Sequence, residues 1–155
     1  MTNKEWMTHP VHVVKPRDSI AHARELLERQ RLNQLPVVVD GRVVGIVTDR
    51  DLRDAFPSIL ETLVPPRRRP RKTGVDPAEI LVEDVMTPNV IALAPQDTVD
   101  EAARIMRRER IGAIPIVEHG KLVGIITRTD VLEAYAELYE RLRGATAPAS
   151  GGKGS

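Results

Sequence analysis

Two short stretches carry the residue types best able to do chemistry, Thr48-Asp49-Arg50-Asp51 and Thr127-Arg128-Thr129-Asp130. Each offers a hydroxyl and, three residues on, a carboxylate, with an arginine between them. A carboxylate can accept both hydroxyl protons of a sugar diol, and Arg50 and Arg128 can add charge-assisted bonds to phosphate. The same Thr-x-x-Asp pattern ahead of an apolar helix is a capping box, with the acid at the third helical position. One geometry can serve both ends, since a carboxylate that caps a helix can also face a ligand, and the helix start directs N–H groups at an anion. The sequence shows no nucleophile–base pair, no Walker-type glycine loop and no His/carboxylate cluster, so nothing in it points to an enzyme or a catalytic cofactor. His9, His12, His22 and His119 lack the spacing of a helical metal site and read as surface residues, with no metal expected. The chain has no cysteine, which removes disulfides, thiolate metal sites and thiol nucleophiles together.

The elements that must position these residues follow from an internal repeat. Shifting the sequence by 79 residues aligns Met7-Thr8 with Met86-Thr87, Pro16 with Pro95, Asp18 with Asp97, Pro36 with Pro115, Gly41 with Gly120 and Gly45 with Gly124, without a gap. Each copy begins with a short apolar stretch, Val11 to Val14 or Val90 to Leu93. Asp18-Ser19 or Asp97-Thr98 then opens a helix whose apolar stripe is Ile20, Ala23 and Leu27, or Val99, Ala102 and Met106. Two β-branched runs follow around Asp40-Gly41 or His119-Gly120, the signature of a two-residue hairpin turn. A second helix starts after each Thr-x-x-Asp. The expected fold is therefore mixed α/β (α+β), a β-α-β-β-α unit present twice. One unit of about 50 residues buries too little surface to stand alone comfortably, so the two should pack as a pseudo-twofold pair.

The division expected is 1–56 for the first repeat, 57–83 for a linker, 84–142 for the second repeat and 143–155 for a disordered tail rich in Gly, Ala and Ser. Within the linker Ser58 to Val64 could extend the preceding helix, and Asp76-Pro77-Ala78-Glu79 reads as the start of a new one. Between them Arg67-Arg68-Arg69-Pro70-Arg71-Lys72 fits a solvated extended linker, a contact for nucleic acid or another anionic partner, or a reach toward a ligand's phosphates.

With 155 residues, 41% hydrophobic and 29% charged, and a net charge of +1, the composition is that of an ordinary globular chain and gives no sign of a wholesale nucleic-acid binder. Four aromatics, Trp6, Phe56, Tyr135 and Tyr139, are too few for a platform on which bases stack. Trp6 reads as packing at the module edge, and Tyr135, Leu138 and Leu142 fall on one helical face, a dimer seam or part of the core. The chain start lacks the apolar core of a signal peptide and no window is long enough to span a membrane, so a cytoplasmic location is the expectation.

The doubled pattern, Met-Thr, Pro-x-Asp-Ser/Thr, Pro-Val/Ile-Val and Gly-x-x-Gly-hydrophobic-hydrophobic-Thr-x-x-Asp, resembles a tandem pair of CBS domains, a Bateman module, of the free-standing prokaryotic type. The resemblance covers residues 5–56 and 84–142 and is most specific in Gly45 to Asp51 and Gly124 to Asp130. It implies a regulatory module that senses adenosine-containing ligands (AMP, ADP, ATP, S-adenosylmethionine or NAD), ATP bringing Mg²⁺ with it. It also implies a homodimer that signals to an effector protein by conformational change, with no membrane partner. By matching position, Asp51 and Asp130 would hold ribose hydroxyls, and Thr48 and Thr127 would bond ribose or phosphate oxygens. The backbone near Val11 and Val13, and near Val90 and Ala92, would meet the adenine edge, while aliphatic residues around Pro36-Val37 and Pro115-Ile116 would sandwich its faces. The copies differ at Asp49-Arg50 against Arg128-Thr129 and at Asn33-Gln34 against Gly112-Ala113, which implies sites of unequal affinity or one left vacant.

Overall fold

A computed structural model describes residues 1–55, 76 and 78–146 of the chain. Ser58 to Val64 and the arginine tract Arg67 to Lys72 lie outside the described residues.

Local chemistry accounts for the elements. Helix α1 is a single turn, Asn3–Trp6. Helix α2 (Ile20–Gln30) starts where the Ser19 hydroxyl accepts the His22 N–H at 3.0 Å, buries Ile20, Ala23 and Leu27, and stops at Arg31 in the left-handed conformation. Strands β1 (Gln34–Val39) and β2 (Arg42–Thr48) form an antiparallel hairpin. Its two-residue turn needs positive φ at both positions, and Asp40 (52°) and Gly41 (79°) supply it. Gly45 faces Val37 while Val43 faces Val38, so Val44 is an extra residue that bulges the ladder. Helix α3 (Asp49–Ala55) follows without a break.

The second copy repeats this plan. It comprises α4 (Val82–Val85), α5 (Val99–Glu109, N-capped by Thr98), β3 (Ala113–Glu118), β4 (Lys121–Thr127) and α6 (Arg128–Thr146), with His119 and Gly120 in the turn and Val123 in the bulge. Three expectations are corrected here. The leading strands at Val11 to Val14 and Val90 to Leu93 are reduced to one parallel bridge each, Val14 to Val37 and Leu93 to Ile116, and Pro16 and Pro95 follow just beyond. Asp76 opens one turn only, taking the Ala78 N–H on its side chain and the Glu79 N–H on its carbonyl. The chain then extends to pair at Leu81 before α4 begins. Finally, α6 continues through Gly144 to Thr146, past the point where the tail was expected to start.

Packing in space does not follow the order of the chain. One core gathers Val14, Ile20, Leu27, Leu35, Val47 and Leu52 of the first copy, but it also takes Val82, with Ile80, Val85 and Met86 against it. The other gathers Met106, Ile114, Ile116 and Ile126 of the second copy and receives Trp6 and Met7 from the chain start. Each copy has thus handed its leading segment to the other. Bridges in symmetric pairs record the exchange: Thr8 with Ile125 matches Thr87 with Ile46, and Thr2 with Thr98 matches Leu81 with Ser19, each related by the 79-residue shift. Asn3 is fully buried in this seam, donating its backbone N–H to Asp97 and its side-chain amide to Ala94. The hairpin tips also meet, Lys121 Nζ donating to the Asp40 carbonyl and Leu122 N–H to that of Gly41. Among the described residues no helix is long and apolar enough to cross a membrane.

Candidate functional site

The exchange builds two clefts. The first, about 520 Å³, combines Ile46, Thr48, Arg50 and Asp51 at the end of β2 with Thr87, Asn89, Val90 and Ile91 of the exchanged segment. The second, about 380 Å³, combines Ile125, Thr127, Thr129 and Asp130 at the end of β4 with Thr8, Pro10, Val11 and His12. These are corresponding positions, so each Thr-x-x-Asp faces the leading segment of the other copy. Asn33, Gln34, Gly112 and Arg128 line both clefts and form the wall between them.

Both capping boxes are formed. Thr48 N–H donates to Asp51 Oδ2 at 3.0 Å and Asp51 N–H donates to Thr48 Oγ1 at 3.0 Å. In the second copy Thr127 N–H reaches Asp130 Oδ2 at 2.8 Å and Asp130 N–H reaches Thr127 Oγ1 at 3.3 Å. The reciprocal bonds fix each carboxylate at the rim of its cleft, so the structural and ligand-facing roles coexist. The surroundings of the two carboxylates differ. Asp130 is only 8% exposed and also accepts the Thr127 hydroxyl at 3.0 Å and the Thr8 hydroxyl at 3.2 and 3.3 Å on its two oxygens. Asp51 is half-buried, and among the described residues its Oδ1 meets no donor.

Several residues singled out by sequence stand elsewhere. Pro36, Val37, Pro115 and Ile116, expected to sandwich a ligand, are buried inside the hairpins and are not among the residues lining either cleft. Val37 and Ile116 point into the two cores, while Pro36 and Pro115 lie opposite Ile46 and Ile125 on the other face of each hairpin, where Ile46 and Ile125 line the clefts. Val13 and Ala92 also line neither cleft; Val13 sits in a separate shallow cavity with Val11, Val38 and Leu122. Arg50 is exposed at the first cleft and Arg128 at both.

Sequence reasoning missed other cleft residues. Arg31 and Arg110 end their helices in the left-handed conformation and line the second and first clefts respectively. They correspond under the repeat shift, which was the available signal. Thr8 and Thr87 were visible as the Met-Thr pairs, but only the exchange places each beside the other copy's Asp. His9 and His12 are exposed, and among the described residues no group of three His or acidic side chains could hold a metal ion.

Two β-α-β-β-α copies with exchanged leading segments and a cleft at each Thr-x-x-Asp define a tandem CBS architecture. The family model of the CBS domain matches residues 4–58 and 82–137, and the chain belongs to that family. The inosine-5'-monophosphate dehydrogenase of Korarchaeum cryptofilum is 33% identical over 129 residues, which are 83% of this chain but 23% of that protein, so the chain spans less than a quarter of this relative. Among solved structures, CBSX2 of Arabidopsis thaliana in complex with AMP is similar, at 31% identity and a TM-score of 0.71 over 89% of this chain and 98% of that one. The CBS domain pair of protein MJ0100, in complex with methylthioadenosine and S-adenosylmethionine, has 25% identity and a TM-score of 0.69 over 87% of this chain and 99% of that one.

Proposed function

We propose that this chain is a regulatory module that binds an adenosine-containing ligand between its CBS repeats and reports occupancy to an effector protein, without catalysing a reaction. The observation that carries the reading is the pairing of each rim carboxylate with the exchanged segment of the opposite copy. A ligand bridging the two would hold the halves in one arrangement, and that is how binding would become a signal. In this reading the rim carboxylates Asp51 and Asp130 mark the ribose ends of the two clefts, and Thr48 and Thr127 orient them. The extended backbone at Val90 and Val11 meets the adenine edge, Ile46 and Ile125 cover its faces, and Arg50 and Arg128 take phosphate. AMP and S-adenosylmethionine, held by the similar CBSX2 and MJ0100 pairs, are the first ligands to try, with ADP, ATP plus Mg²⁺ and NAD beside them.

Binding to the folded state alone stabilises it by about 2.7 kcal/mol at a ligand concentration of 100 Kd. For a domain of this size that raises the Tm by roughly 5–10 °C. A thermal melt of ligand-free protein with each compound is expected to show such a shift for at least one. The paired substitutions Asp51→Ala and Asp130→Ala are expected to abolish it. No shift with any compound at millimolar concentration would overturn the sensor reading.

The same reading includes self-association. Helix α6 leaves Leu132, Tyr135 and Tyr139 more than half exposed and Leu138 at 39%, beside an apolar groove formed with Val99, Ala103 and Val131. A second copy of the chain is the occupant we propose, as in the paired modules the resemblance implies. Sedimentation is expected to give a dimer that Tyr135→Glu converts to monomer; a wild-type monomer at high micromolar concentration would exclude it.

A further inference from the structure

We infer that the two clefts are not equivalent: the cleft at Asp51 receives a phosphorylated adenosine, and Thr8 keeps the cleft at Asp130 closed to ribose. This inference rests on the adenosine-ligand reading above.

The repeat makes the comparison a controlled one, because Thr8 and Thr87 occupy corresponding positions in corresponding bridges. Only Thr8 turns its hydroxyl onto the neighbouring carboxylate, at 3.2 and 3.3 Å from the two oxygens of Asp130. With Thr127 N–H and Oγ1 also donating, Asp130 has three donors and is 8% exposed. A ribose hydroxyl arriving there must displace Thr8, exchanging one O–H···O bond for another with little net gain. At Asp51 the structure records one donor to the carboxylate, the Thr48 N–H on Oδ2, and the cleft this residue lines is the larger, about 520 Å³ against about 380 Å³. A diol that binds Asp51 exchanges bonds with water only and displaces no protein donor from Oδ1.

Charge separates the clefts in the same direction. The first is lined by Arg50, Arg53, Arg110 and Arg128 together with the acids Asp49 and Glu109; Asp49 is paired with Arg53 and Glu109 with Arg108, and among the described residues Arg50, Arg110 and Arg128 are in no ion pair. The second has Arg31 and the shared Arg128, because the position of Arg50 is occupied there by Thr129. Charge-assisted bonds to phosphate are about twice as strong as neutral ones, so the extra guanidinium favours a phosphorylated ligand in the first cleft.

Isothermal titration of the full chain with AMP, and with adenosine as the uncharged probe, tests this. The expected result is one AMP per chain, with adenosine at least tenfold weaker. Asp51→Asn is expected to weaken AMP at least tenfold. If that variant does not fold, Arg50→Gln, on the exposed rim, carries the test by weakening AMP while leaving adenosine unchanged. Thr8→Val is expected to keep the first event and add a second, weaker one. Two equivalent AMP sites in the wild type, AMP binding indifferent to Asp51→Asn and Arg50→Gln, or no second event in Thr8→Val overturns the inference while leaving the sensor reading intact. No AMP binding to the wild type also overturns it, and the sensor reading falls with it only if S-adenosylmethionine, ADP, ATP and NAD fail as well.

Discussion

Ile114→Ala is expected to lower the stability of the chain by about 2–5 kcal/mol, the range for emptying a buried aliphatic site. That is a large part of the 5–15 kcal/mol typical of a whole domain, and it corresponds to a Tm lowered by roughly 5–20 °C. Ile114 is fully buried, faces Ile126 across the β3–β4 ladder and packs in the core that also holds Met106 and Ile116. The damage should not stay in the second copy. Trp6 and Met7, from the chain start, pack against this core, while Val82, from beyond the first copy, is buried in the other. Losing one core therefore releases a segment that leads directly into the second. Trp6 is the sole tryptophan and reports on the mutated core, whereas circular dichroism reports on helices in both. Denaturant curves from the two probes are expected to coincide in the variant, as in the wild type. A fluorescence change that precedes the loss of helix would mean that the copies unfold independently and that the exchange does not couple them.

Gly124→Ala is the second large effect, expected at about 1–3 kcal/mol, the range for overpacking a filled site. Gly124 is buried in β4, and a methyl group built there would lie 2.8 Å from Met7 Cγ and 3.2 Å from Met7 Cβ. The clash falls next to the paired bonds that seat the exchanged segment, Thr8 N–H to Ile125 and Ile125 N–H to Thr8. Shortening the obstacle should relieve it. In a double-mutant cycle Gly124→Ala with Met7→Ala is expected to cost less than the sum of the single changes by about 1 kcal/mol. The corresponding site behaves differently in a predictable way. At Gly45 a methyl group would meet Met86 Cγ at 3.1 Å but also the Thr87 carbonyl oxygen at 3.1 Å, and backbone cannot be trimmed. Met86→Ala should therefore rescue Gly45→Ala less well. Strict additivity at Gly124 would show that the segment yields without cost and that glycine there is not required by close approach.

These two glycines show how much could be read beforehand. Their alignment in the repeat was plain, as were the caps at Ser19 and Thr98 and the turns at Asp40-Gly41 and His119-Gly120, because helix starts and tight turns are decided by a few neighbouring residues. What made Gly45 and Gly124 necessary lies in Met86 and Met7, 41 and 117 residues away along the chain. The burial of Pro36, Val37, Pro115 and Ile116 was not legible for a similar reason, because what packs over each face of a hairpin is set by segments distant along the chain.

The sequence by itself determined that the chain is a doubled β-α-β-β-α unit of the CBS type and that Thr48, Asp51, Thr127 and Asp130 occupy helix starts. Periodicity, capping and turn chemistry are local, and the repeat printed them twice. Only the tertiary structure decided that each copy lends its leading segment to the other, so that Asp51 faces Thr87 to Ile91 and Asp130 faces Thr8 to His12. It alone shows one carboxylate occupied by Thr8 and its counterpart open on Oδ1. Which hydroxyl reaches which carboxylate is settled by contacts across 122 residues of chain, and packing of two cores at once selects among the arrangements that local preferences leave equal.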